Sequence, residues 1–118
     1  MTTPTEARAA LGDALSGLDG IRYYANLGAN IDPPATIVSL PRLAWEAICA
    51  GPTSATFLVY LMVPLNDRAV DRLQEMLPAV VEAIESYPDA VVTTATPLVS
   101  PFGGPDLPAY EITVEVAL

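Results

Sequence analysis

Thr56 to Val63 reads TFLVYLMV, eight residues without a charge, preceded by the turn signal Gly51-Pro52 and closed by Pro64. Apolar residues occupy both parities of this run, so a strand built from it needs cover on both faces and must lie inside a sheet. The run is far short of the ~20 residues of a membrane-spanning helix. Whatever else the chain forms has to pack around this strand. With 118 residues and 52% hydrophobic side chains, one domain spanning residues 1–118 is expected. A domain of this size hides roughly two-thirds of its unfolded surface.

The flanking patterns supply the layers. Thr3 to about Leu18 predicts a first helix: Thr3 or Thr5 can cap it, Pro4 suits the first turn, and Ala7, Ala10, Leu11, Ala14, Leu15 and Leu18 recur at helical spacing. Gly17, Asp19 and Gly20 stop it. Ile21 to Leu27 is rich in strand formers. Ala35 to Ile48 predicts an extended stretch bent at Pro41, although LAWEAICA also suits a short helix. Asn66 or Asp67 is expected to cap a second helix to about Ser86, with Val70, Leu73, Leu77, Val80, Val81 and Ile84 on one stripe and a kink at Pro78. Ala90 to Val99 and Ala109 to Leu118 predict two closing strands, the last alternating cleanly. The linker SPFGGPDLP predicts an extended hairpin loop. The order is helix, three strands, helix, two strands: an α+β domain, α-β-β-β-α-β-β, with a mainly antiparallel sheet and both helices on one face.

The chemistry-bearing residues are few. The chain has no histidine and, among its five basic residues, no lysine. That removes the usual proton shuttle near neutral pH, the commonest metal ligand and Schiff-base chemistry. Cys49 lies in an apolar stretch and reads as a small buried hydrophobe. The acidic pairs Asp67/Asp71 and Glu82/Glu85 fall on the polar side of the second helix, where a solvated face is expected, with Arg68 and Arg72 making local helix pairs. No nucleophile elbow, dinucleotide fingerprint or P-loop occurs. No catalytic, cofactor or metal residues are expected, and the chain is read as a non-enzyme. A net charge of −9 with scattered arginines excludes sequence-specific nucleic-acid binding. The N-terminus lacks the basic and apolar regions of a signal peptide, so the protein is expected to be made in the cytoplasm and not to enter a membrane.

What remains is contact. Only 16% of residues are charged and the mean hydropathy is +0.40, against about 25% charged in an average domain. The loops GANIDPP and SPFGGPDLP offer Ile31, Asp32, Pro33, Pro34, Leu98, Phe102 and Leu107 as candidate subunit or partner contacts. A small-ligand pocket is the competing reading, with Tyr23, Arg42 and Trp45 as its first candidates.

The layout resembles the tail terminator proteins of long-tailed, siphovirus-type bacteriophages that infect actinobacteria. The features that carry the resemblance are "DPPA" after the first strand, "GPT" before the apolar strand and the ending "YEITVEVAL". The resemblance implies a structural virion protein that forms a homo-oligomeric ring, a hexamer, at the head-proximal end of the tail tube. Such a ring stops tube polymerisation and offers a joining surface to the head-side connector or stopper, while genome DNA passes through it. It implies the tail-tube protein and a second copy as partners, and no catalytic residues or cofactors. Another phage neck protein, a head-tail stopper, is the nearest alternative.

Overall fold

A computed structural model describes residues 3–25, 31–46, 51–100 and 107–118. The first element is α1 (Pro4–Ser16), in which Thr3 Oγ1 accepts the Glu6 N–H at 3.1 Å. Pro4 loses nothing at a helix start, where its N–H would be unpaired anyway. Gly20, at φ 76°, turns the chain into β1 (Arg22–Tyr24). Then follow β2 (Ala35–Val38), β3 (Arg42–Ala44), β4 (Ser54–Met62), α2 (Ala69–Glu85), β5 (Ala90–Ser100) and β6 (Leu107–Ala117).

The apolar run forms β4, and β4 is central as its sequence demands. The sheet order is β1-β2-β4-β6-β5, with β3 also paired to β4. Only β1 and β2 run parallel, and every other pair is antiparallel. The expected bent stretch is two strands lying along one edge of β4. Val38 stands opposite Val59 and Arg42 opposite Thr56, so four steps on one side meet three on the other. Pro41 lies in that slip, where its lack of a donor costs no ladder bond. Ser39 closes the ladder there: its N–H donates to Leu58 O at 2.9 Å, and its Oγ accepts the Leu58 N–H at 3.0 Å. Trp45 and Glu46 have left the strand, and residues 47–50 lie outside the described residues.

Both helices cover one face. Phe57, Val59 and Leu61 of β4, Ile112, Val114 and Val116 of β6, Leu11 and Leu15 of α1 and Leu73, Val80 and Ile84 of α2 form one core. Each large apolar side chain taken fully from water contributes about 1.5–3 kcal/mol. Arg8 pins α1 to the sheet: its Nη2 donates to Ala25 O at 2.7 Å and to Val38 O at 2.9 Å. Thr36, the one buried polar residue among those described, sends its Oγ1 to Arg22 O at 3.5 Å.

The second helix departs from expectation at its start. Asn66 Oδ1 accepts the Arg68 N–H at 2.9 Å, closing a turn before the helix, and α2 begins at Ala69 with no side-chain cap. The helix continues through Pro78, which lies on its exposed side.

Candidate interaction surfaces

The face without helices carries a second, smaller cluster: Ala35, Ile37, Tyr60, Met62, Leu107 and Ala109, with Tyr24, Ile31, Leu58 and Leu98 packed around it. The ladder explains the grouping. Ala35 pairs with Met62, Met62 with Ala109 and Ala109 with Leu98, a single rung across four strands. The next rung on the same face runs Ile37, Tyr60, Glu111, Thr96. Strand side chains alternate in direction, so residues two apart share this surface.

The candidate contact residues fall largely on this one end of the sheet. Ile31 and Leu98 are half-buried against the cluster, and Leu107 is buried within it. Asp32 is held beside β1: its carboxylate meets Arg22 at 2.8 Å, and its N–H donates to Tyr24 Oη at 3.1 Å. Pro33 and Pro34 are half-buried and joined by a cis peptide. Phe102 lies outside the described residues. The hairpin linker is shorter than its sequence suggests, because pairing continues to Ser100 opposite Leu107. Leu98 and Leu107 are therefore strand residues. Leu107 and Ala109 share one parity, and that alternation is the signal masked by Pro108. Pro108 costs nothing there: it sits just past the last β4–β6 pair, Met62 with Ala109, and its carbonyl accepts the Val63 N–H at 3.1 Å.

Tyr60 and Glu111 form the polar boundary of this cluster. Tyr60 Oη donates to Glu111 Oε2 at 2.9 Å. Burial first, then the hydrogen bond and charge of Glu111, push the Tyr60 phenol up to about 12. At neutral pH it is a fixed donor and not a base.

Other candidates are dispersed. Tyr23 lines a cleft of about 580 Å³ between α1 and the sheet, with Arg8, Gly12, Leu40 and Pro41. Arg42 belongs to a separate hollow on the helix-free side, with Thr56, Leu58 and Thr113, and Trp45 is exposed and lines neither. The structure thus separates the three residues of the expected ligand pocket. Asp67, Asp71, Glu82 and Glu85 are all exposed, as a solvated face requires. Arg68 and Arg72 do not form the expected helix pairs, since Arg22–Asp32 is the one ion pair among the described residues. Among the same residues no group of acidic or cysteine side chains could hold a metal, and no helix is long and apolar enough to cross a membrane.

The exposed large apolar residues are Leu40, Trp45, Leu65, Val70, Val91 and Val99. Leu40 and Trp45 bracket β3, Val91 and Val99 lie on β5, and Leu65 and Val70 flank the start of α2. Four of these six therefore lie on or beside two of the sheet's edge strands, β5 and β3. Sequence periodicity did not single them out, because edge position depends on strand order. No protein-family model matches the chain, and no curated protein matches it.

Proposed function

We propose that this chain is a structural subunit that works by associating with copies of itself, as the ring-forming tail terminator of a long-tailed phage. The observation that carries self-association is the placement of exposed apolar side chains at two edge strands of the sheet, Leu40 and Trp45 beside β3 and Val91 and Val99 on β5. Isolated surface hydrophobes are ordinary, but edges lined with them invite pairing. The resemblance in "DPPA", "GPT" and "YEITVEVAL" supplies the phage assignment and, with it, the hexameric ring at the head-proximal end of the tail tube in the virion. Tail-tube protein on one side and the head-side connector or stopper on the other are the partners in this reading. The exposed carboxylates of α2 suit a ring through which DNA slides, because like charge keeps phosphates from sticking.

Light scattering coupled to size exclusion, followed by negative-stain imaging with tail-tube protein, tests this reading. The expected result is a ring seated on one end of a tube. A monomer at every concentration, alone and with tube protein, would sink it. A ring that ignores the tube but binds the head connector would favour the stopper position.

One observation favours a second reading, a small-ligand-binding regulatory domain. The cleft beside Tyr23 has a volume of about 580 Å³, inside the range of roughly 300–1,000 Å³ typical of ligand sites. A metabolite panel that raises the melting temperature of the wild type but not of Tyr23→Ala would support it, and a flat response would remove it.

A further inference from the structure

Arg8 carries a charge that the fold uses on one side only. Its Nη2 donates to both Ala25 O and Val38 O, at 2.7 and 2.9 Å, which takes up the N–H groups of that nitrogen. Nε is buried and has no hydrogen-bond partner. Nη1 takes part in neither bond, and the one ion pair among the described residues, Arg22–Asp32, leaves this guanidinium without a carboxylate. Arg8 lines the cleft of about 580 Å³ between α1 and the sheet. With Nε closed off and Nη2 committed, Nη1 is the donor that serves this cleft. A half-buried guanidinium attracts an anion more strongly than a solvated one, because less water screens the pair.

The rest of the cleft shapes the occupant. Gly12 lies one helical turn beyond Arg8 on the same stripe of α1, and a Cβ there would lie 2.7 Å from Tyr23 Oη. That phenol is a second donor on the cleft, with no partner among the described residues. Much of the remaining wall is apolar, formed by Pro4, Ala9, Leu40 and Pro41. Leu40 is 73% exposed, so the wall offers a large aliphatic side chain with nothing over it. Asp13, exposed on the same cleft, limits the charge that can enter. Together with the net charge of −9, it disfavours a dianion such as phosphate, while Arg8 disfavours a cation.

We infer that this cleft takes a small monocarboxylate with an apolar body, its carboxylate on Arg8 Nη1 and Tyr23 Oη and its body along Ala9, Leu40 and Pro41. This rests on reading the cleft as a ligand site and names the chemical class. Amide NMR titrations of the full chain with phenylbutyrate, phenylbutanol, phenylbutylamine and inorganic phosphate provide the test. Phenylbutyrate is expected to shift the amides of Ala9, Asp13, Tyr23 and Leu40, and to bind on the order of tenfold more tightly than phenylbutanol. Phenylbutylamine and phosphate are expected to leave those amides in place. Because Arg8 also ties α1 to the sheet, the variants keep it. Asp13→Asn removes an exposed charge and is expected to tighten phenylbutyrate severalfold, whereas Tyr23→Phe keeps the ring and is expected to weaken it severalfold. Circular dichroism checks that both variants fold. Equal binding of acid and alcohol, tighter binding of amine or phosphate, or either variant without its effect overturns the carboxylate class while the cleft stands as a ligand site. Shifts confined to other surfaces overturn the placement. If none of the four compounds moves any amide, the cleft reading falls with the proposal.

Discussion

Tyr23 occupies the space that a side chain on Gly12 would need: a Cβ there would lie 2.7 Å from Tyr23 Oη and 2.8 Å from Cζ. A glycine inside a helix costs about 1 kcal/mol relative to alanine. Here the absence of Cβ lets α1 approach β1. Gly12→Ala alone is expected to displace the ring and to gain no stability. In a Tyr23→Ala background the same substitution is expected to stabilise by about 1 kcal/mol. Urea unfolding of the four-member cycle reads both. Equal effects in the two backgrounds would show that the contact does not matter.

Tyr60 gives the protein an alkaline limit. Its phenol is raised from 10.0 to about 12 in the folded state, by burial and by Glu111. The unfolded chain deprotonates first as pH rises. The stability tied to this group is therefore complete below pH 10.0 and is lost on the way up to about 12. Tyr60→Phe is expected to cost about 1–2 kcal/mol at neutral pH, because it strips Glu111 of a partner. It is also expected to flatten that alkaline decline. Urea midpoints measured from pH 8 upward test both. A wild type and mutant that fall in parallel would disprove the linkage.

Arg8 holds α1 to the ends of β1 and β2 through two carbonyls. Hydrogen bonds from a charged donor contribute about 1.5–3 kcal/mol each, net of the bonds water would make. Arg8→Ala is expected to destabilise by about 2 kcal/mol and to speed amide exchange in α1 more than in α2. Arg8→Lys keeps the charge but lacks a planar fork, so it is expected to recover only part of the loss. Full recovery by lysine would mean that charge alone, and not the two-carbonyl geometry, sets the effect.

Leu107 and Asp32, both candidate contacts by sequence, are expected to part ways under mutation. Leu107 is buried in the second cluster, so Leu107→Ala is expected to cost about 2–5 kcal/mol of stability. Asp32 and Arg22 form a solvated pair, their side chains 71% and 59% exposed, and Asp32→Asn is expected to cost under about 1 kcal/mol. Thermal unfolding of both variants separates a packing residue from a surface one. A mild Leu107→Ala would return that residue to the contact list.

Much of the fold was legible because each element carries its own period. The central position of β4 follows from apolar residues at both parities, and the two helices from their stripes, except that Val70, expected on the second stripe, is exposed and Ala69 is buried in its place. The antiparallel ending follows from Tyr110, Ile112, Val114 and Val116 facing the core side. Element boundaries near proline were harder to place. Pro108 reads as loop, yet it sits just past the last β4–β6 pair, where the missing donor is not needed. The α2 start moved from Asn66 or Asp67 to Ala69 because the Asn66 side chain closes a turn of its own. Of the candidate surface, the convergence of Ile31, Leu98 and Leu107 could not be read locally. It depends on the rung from Ala35 to Leu98, which only strand order creates.

The slip at Pro41 sets the phase of everything after it. In β2 the even-numbered Val38 joins the helix-side core, whereas in β3 the odd-numbered Leu43 packs against that core and Arg42 and Ala44 are exposed. Carried on from Val38 without the slip, strand alternation would turn the Arg42 guanidinium inward and Leu43 out to water. A one-residue deletion in this short stretch would match three steps with three and leave Arg42 opposite Thr56, its sidedness unchanged. The slip is thus what lets one chain carry an extra residue between two strands along β4 and still send Val38 and Leu43 into the same core.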